Sequence, residues 1–251
     1  MESLEGKRVV VTGGSRGLGL GIVEALVANK ARVTVVARNR ERLDEVARRL
    51  GVTVVAGDVT ELEVAKSVLA ARPEVVVLNA GVSPPMAPLD QFSWEDFSAT
   101  WNNDVKAGLH WIGEALRAPL PAGSRVLIAS SGAAVNGSPL SGGHAGAKRM
   151  LWLMAHYANG VSAERNLGVR FQTFVPLQLI GDTEHGRNAA EPYARKKGVP
   201  LESFLAGFGK PMSPADVGAH IVRLLTDEAF QRGTAFGLKG DTGITSLDAP
   251  A

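Results

Sequence analysis

Arg8-Val9-Val10-Val11-Thr12-Gly13-Gly14-Ser15-Arg16-Gly17-Leu18-Gly19 is the stretch that decides the architecture of this chain. Its first five residues read as a buried strand, because a β-branched run without polar alternation suits a strand covered on both faces. Gly17–Asn29 reads as a helix. Between the two lies a turn whose glycines let the backbone bend sharply and come close to a ligand. A strand, a glycine turn and a helix in that order present free helical N–H groups where a pyrophosphate lies in nucleotide-binding folds. A purely structural glycine turn is the plainer alternative.

The same rhythm continues outward. Arg32–Ala37 reads as a strand and Asn39–Leu50 as a helix with Asn39 as N-cap. Its Leu43, Val46, Ala47 and Leu50 follow helical spacing. Val52–Ala56 is a strand, Leu62–Ala71 a helix and Val75–Leu78 a strand. A long helix from Trp94 to Arg117 starts at Ser93-x-x-Asp96, which resembles a capping box with Asp in the place of Glu or Gln. Phe97, Trp101, Val105, Leu109, Ile112 and Leu116 form its apolar stripe, which suits either a core face or an oligomer seam. Arg125–Ser130 is a strand, His144–Val161 a helix, Val169–Val175 a strand, Ser213–Thr226 a helix and Thr234–Leu238 the last strand. Apolar strands alternating with helices imply one α/β domain over residues 1–251. The expected fold is a doubly wound Rossmann fold, a parallel sheet of about seven strands with helices on both faces. Residues 181–211 break the rhythm. They are polar and punctuated by Gly and Pro, and an insertion of that length reads as a substrate lid.

Composition removes several function classes. The 251 residues are 45% hydrophobic, enough for a substantial core, and carry a net charge of only +2, which argues against a nucleic-acid or membrane surface. There is no cysteine, so thiolate catalysis and cysteine metal sites are excluded. The five histidines contain no H-x-x-x-H pair, and no metal is expected. No apolar run is long enough to span a bilayer, and the acidic start Met1-Glu2-Ser3-Leu4-Glu5 is unlike a signal peptide. A cytoplasmic location is therefore expected.

The spacing Thr12-Gly13-x-x-x-Gly17-x-Gly19 resembles that of the short-chain dehydrogenase/reductase family. Gly57-Asp58-Val59 matches the family's adenine-contacting Asp, and Leu78-Asn79-Ala80-Gly81 matches its N-A-G motif. Together these motifs imply a cofactor site built from Thr12, Gly13, Ser15, Arg16, Gly17, Leu18, Gly19, Asp58, Val59, Asn79, Ala80 and Gly81. Arg38 ends the second strand. An Asp there would accept hydrogen bonds from the ribose of NAD, whereas Arg38, with Arg16 in reach, offers a cationic fork to the extra phosphate of NADP. The expected cofactor is NADP(H).

The resemblance also implies catalytic positions, and two of them depart from the family pattern. Ser131 stands where the family has the Ser that binds the substrate oxygen. Lys148 stands at the Lys that holds the nicotinamide ribose. His144 occupies the position of the proton-transferring Tyr, and Asp104 that of the helix Asn, with Asn102 and Asn103 just before it. Imidazole can serve as a general acid or base, and the Lys148 charge would push its pKa down. The alternative is a His that only lines the pocket. Pro176 opens Pro-Leu where the family has Pro-Gly, and Thr183 resembles the family Thr that meets the nicotinamide amide. The expected activity is hydride transfer between NADP(H) and a small or medium apolar carbonyl or alcohol. An NADP(H)-binding protein without turnover, or a non-redox dehydratase or isomerase, are the rivals. The resemblance further implies a homotetramer or homodimer built on the helices containing Trp101 and Met154.

Overall fold

The structure, a computed structural model, describes residues 3–248. The first half of the chain alternates β1 (Arg8–Thr12), α1 (Gly17–Ala28), β2 (Arg32–Ala37), α2 (Arg40–Leu50), β3 (Thr53–Ala56), α3 (Leu62–Leu69) and β4 (Val75–Leu78). Next come α4 (Trp94–Thr100), a π turn at Trp101–Val105, α5 (Lys106–Arg117), β5 (Arg125–Ala129), the short α6 (Ala133–Asn136) and α7 (His144–Glu164). The chain continues through β6 (Arg170–Pro176), α8 (Glu184–Lys197), α9 (Leu201–Ala206), α10 (Pro214–Thr226), β7 (Ala235–Lys239) and β8 (Gly243–Ser246).

The eight strands form one sheet in the order β3-β2-β1-β4-β5-β6-β7-β8. β1 pairs in parallel with β2 on one side and β4 on the other, Val9 facing Val33 and Val75. The winding direction reverses there, and the crevice beyond the C-terminal ends of β1 and β4 is where such sheets bind ligands. Because successive strand side chains point to opposite faces, the valines of β1 divide between two cores. Val9 and Val11 pack with Ile22, Leu26, Ile221 and Leu224, while Val10 packs with Trp111, Ile112, Leu151 and Met154. Helices thus cover both faces, as the unbroken apolar strands require.

Two features differ from the sequence reading. The sheet has eight strands rather than about seven, because β8 adds an antiparallel edge to β7. At four residues and half exposed, β8 lacks the apolar run that marks the others. The helix read as continuous from Trp94 to Arg117 contains the π turn, whose longer i→i+5 hydrogen-bond ring rotates the buried face. The stripe after it therefore runs through Asp104, Ala107, Gly108, Trp111, Ile112 and Ala115, and Leu109 is left 61% exposed. Residues 181–211 fold into α8 and α9, with Thr183 as the side-chain N-cap of α8.

The caps at Asn39 and Ser93 form as the sequence suggested, and Ser213-x-x-Asp216 closes a full capping box on α10. α10 lies against α1 at a crossing made of glycines. A Cβ on Gly21 would run into the Pro214 carbonyl, and one on Gly218 into the Gly21 carbonyl. Gly21→Ala is accordingly expected to cost on the order of 1–3 kcal/mol, typical of overpacking, read as a lower urea midpoint. An unchanged midpoint would mean that the two helices separate without penalty.

Candidate active site

The glycine turn forms a cradle at the end of β1. Gly13 and Gly17 adopt positive φ, 68° and 53°. A Cβ on Gly13 would lie 2.8 Å from the Ala80 Cα, so the turn and the β4 end touch backbone to backbone. Thr12 ties them together: its Oγ1 accepts from the N–H groups of Asn79 (3.0 Å) and Ala80 (3.1 Å). The Asn79 amide returns hydrogen bonds to the Thr12 and Gly13 carbonyls. α1 starts at Gly17 after an extended Arg16, and no side chain caps its first N–H groups. Asn, Ser or Thr side chains cap α2, α4, α8 and α10. An uncapped helix end beside a glycine turn leaves its donors to an anion, so these residues fit a dinucleotide pyrophosphate.

The two arginines singled out in the sequence lie at the rim. Arg38 faces Asp58 at 4.0 Å, and Arg16 pairs with Glu184 at the start of α8. The Thr60 N–H holds the Asp58 carboxyl below its usual pKa. The Thr60 hydroxyl, Arg38 and Lys106 add to that effect, against the opposing pull of burial. The Val59 carbonyl accepts from the Trp111 indole at 3.0 Å. The Pro176 carbonyl accepts from the Gly132 N–H at 2.8 Å. The Thr183 hydroxyl donates to the Ile180 carbonyl (2.8 Å) and accepts from the Gly186 N–H (2.9 Å), beside Gly17.

Below the cradle lies a buried ion pair. The π turn aims Asp104 inward, where Oδ2 stands 2.9 Å from Lys148 Nζ, the side chains 1% and 9% exposed. Asp104 Oδ1 accepts from the Val82 N–H at 3.0 Å. A Cβ on Gly81 would come within 2.8 Å of Asp104 Oδ2, so the glycine makes room for the carboxylate. Asn102 and Asn103 turn elsewhere, to Ser98 Oγ and the Ala99 carbonyl. Behind Asp104 is a small cavity of about 20 Å³, walled largely by Val59, Leu78, Trp111 and Leu151.

α7 carries His144 and, one turn later, Lys148. Trp101 Nε1 donates to the Gly143 carbonyl at 3.0 Å and fixes the start of this helix. Ser130 Oγ donates to the Lys148 carbonyl at 2.9 Å. Ser131 Oγ accepts from the Ala133 N–H at 3.2 Å, at the C-terminal end of β5. His144 is 5% exposed, and its Nδ1 has no hydrogen-bond partner. Burial, then the Lys148 and His185 charges, pushes its pKa down to about 3. At neutral pH the ring is an uncharged imidazole.

His185 is the residue that sequence reasoning missed. It sits in the first turn of α8, its ring centroid 6.3 Å from that of His144, and its Nδ1 shares a 3.0 Å hydrogen bond with Ser83 Oγ. It keeps solvent access on one side, yet the surrounding protein desolvates it and, with Lys148, lowers its pKa. Its proximity to Thr183 was the one local signal; nothing in the sequence pairs it with His144. Tyr193, further along α8, binds Ser138 Oγ (2.7 Å) and the Leu140 N–H (3.1 Å), in the loop before α7.

Comparison with known proteins follows the same lines. Residues 7–191 match the family model described as short chain dehydrogenase. The chain is 26% identical over 265 residues to 2,5-dichloro-2,5-cyclohexadiene-1,4-diol dehydrogenase of Sphingobium indicum, covering 98% of this chain and 100% of the relative. It is 25% identical over 257 residues to the oxidoreductase asL5 of Sarocladium schorii, covering 98% and 99%. Its fold is similar to that of L-sorbose reductase of Gluconobacter frateurii, solved with NADPH and L-sorbose. The TM-score is 0.78 and the identity 24%, over 96% of this chain and 98% of that one. No helix among the described residues is long and apolar enough to cross a membrane.

Two measurements test the site. Asp104→Leu removes one partner of a buried pair and strands the Lys148 charge, which is expected to cost about 3–5 kcal/mol in denaturant unfolding. A loss under about 1 kcal/mol would mean that the pair is solvated. The second test uses pH. His144 titrates near 3 when folded, against an ordinary 6.5. Between those values the unfolded chain binds a proton that the folded chain does not. Stability therefore falls as pH drops from 6.5 toward 3, by up to about 1.4 kcal/mol per unit. His144→Phe should flatten that slope; parallel curves for the two proteins would show His144 to be free to charge.

Proposed function

The chain belongs to the short chain dehydrogenase family, and from that premise we propose that it is an NADP(H)-dependent oxidoreductase acting between a carbonyl and its alcohol. The observation that carries this reading is the uncapped N-terminus of α1 beside a glycine turn that touches the β4 end backbone to backbone. When bound, the nicotinamide supplies or accepts the hydride. Thr12, Gly13, Ser15, Gly17, Leu18 and Gly19 hold the pyrophosphate, Asp58 and Val59 border the adenine, and Asn79, Ala80 and Gly81 support the ribose side. Arg16 and Arg38 hold the 2′-phosphate. Both are exposed, with only a carboxylate to exchange for it. Pro176 and Thr183 border the nicotinamide.

In this reading Lys148 holds the nicotinamide ribose and Asp104 holds Lys148. Ser131 and His144 bind the substrate oxygen. Because burial and Lys148 keep His144 neutral, it meets the developing oxyanion as an uncharged N–H donor rather than as an imidazolium. Residues 181–211 act as the lid, and cytoplasmic homo-oligomers remain the expected form. Tyr193 and its partner Ser138 add polar groups beside the lid, so hydroxylated carbonyls belong among the candidate substrates beside apolar ones. Diol and sugar substrates in the names of similar proteins point the same way. A cofactor-binding protein without turnover is the second reading, favoured by the absence of a phenol at position 144.

NADPH oxidation against ketones, hydroxyketones, aldehydes and quinones is expected to find a substrate, with activity falling sharply in His144→Ala. Tight NADPH binding with no turnover on any of them would favour the second reading. Arg38→Asp is expected to weaken NADPH binding by about 10- to 100-fold, the worth of one charge-assisted contact, and to leave NADH nearly unchanged. Equal losses for both cofactors would refute the NADP assignment.

A further inference from the structure

We propose that His185, at the start of α8, is the residue through which the proton used at His144 is exchanged with solvent. The inference rests on the oxidoreductase reading and adds a positioning residue to it. Reduction of a carbonyl consumes one proton: the hydride goes to carbon, and the new alkoxide oxygen takes a proton from His144. His144 is a neutral ring, so its other nitrogen must take up a proton as this one leaves, and it is almost wholly buried.

The inner route is poorly suited to that supply. Lys148 is held directly by Asp104 at 2.9 Å, and the other Asp104 oxygen is held by the Val82 N–H. The cavity that Asp104 lines is small and walled largely by apolar side chains. The outer route is open. His185 faces solvent on one side and His144 on the other, with 6.3 Å between ring centroids and 47° between ring planes. That gap suits one bridging oxygen, the usual reach of a proton transfer through water. Ser83 Oγ holds Nδ1 of His185 and so orients the ring, leaving the other nitrogen for exchange.

The charges around His185 make it a conduit rather than a store. Burial opposes its protonation, as do Lys148 from α7 and Arg16 from the glycine turn, while Asp104 from the π turn favours it. Glu184, its neighbour on α8, is engaged by Arg16. His144 adds a neutral ring. A proton arriving from water or a buffer acid at Nε2 of His185 therefore passes on from that same nitrogen, through the bridging oxygen, to His144. One imidazole nitrogen of His144 takes it as the other gives one up, and both rings end neutral.

The test compares wild type, His185→Phe and Ser83→Ala, each loaded with NADPH, in weak buffer above neutral pH on a carbonyl that the wild type reduces. His185→Phe should lower kcat by about a hundredfold, the low end of what positioned proton transfer supplies. KM and NADPH affinity should hold, and added imidazole buffer should restore kcat. Ser83→Ala should show a smaller loss in the same direction. An unchanged kcat, or a loss with raised KM that buffer does not rescue, overturns the proposal. A second readout needs no turnover: exchange of the His144 ring proton with water, followed by NMR in the NADPH-bound protein. It should slow in His185→Phe, and an unchanged rate overturns the proposal. Absence of turnover in the wild type would count against the oxidoreductase reading instead.

Discussion

The buried contact between Lys148 and Asp104 is the constraint from which most of the site follows. Taking a carboxylate and an ammonium out of water costs several kcal/mol each, and their attraction offsets that only with close geometry and further hydrogen bonds. The chain meets both conditions with local devices. The π turn directs Asp104 inward, Gly81 leaves space for its carboxylate, and the Val82 N–H satisfies its second oxygen. Trp101, in the same turn, fixes the start of α7 through the Gly143 carbonyl, so one irregular turn positions both partners of the pair.

The pair also shapes its neighbour. A fixed cation one helical turn from His144 adds to burial in keeping that imidazole uncharged. A phenol at that position would gain acidity from a nearby cation. An imidazole instead loses basicity from the same charge. The electrostatics that would make a tyrosine more acidic thus hold histidine in its neutral form.

How much of this was legible depended on whether the cause lay in the local sequence. The glycine turn, the caps at Asn39 and Ser93 and the buried strands were legible because each follows from adjacent residues. The π turn was not. Its apolar residues keep helical spacing, so Phe97, Trp101, Val105 and Leu109 looked like one stripe, and the extra residue in the turn shows only as Leu109 facing solvent. β8 was missed because a short, half-exposed edge strand carries little hydrophobic signal. Motif spacing singled out Asp104 and Lys148, but their contact is a matter of tertiary structure. His185 was missed because only the tertiary fold brings the start of α8 beside His144.

The first turn of α8 joins parts of the site that the sheet alone would leave separate. Three consecutive residues reach two separate parts of the site: Thr183 lies beside Gly17 and Glu184 pairs with Arg16, both at the glycine turn, whereas His185 binds Ser83 near His144. Thr183 also caps the helix that carries the other two, so their positions depend on one hydroxyl. The glycine turn and the surroundings of His144 are therefore bordered by the same turn of helix. Arg16 and His185 are thus held by adjacent residues of α8, the one through Glu184 and the other directly.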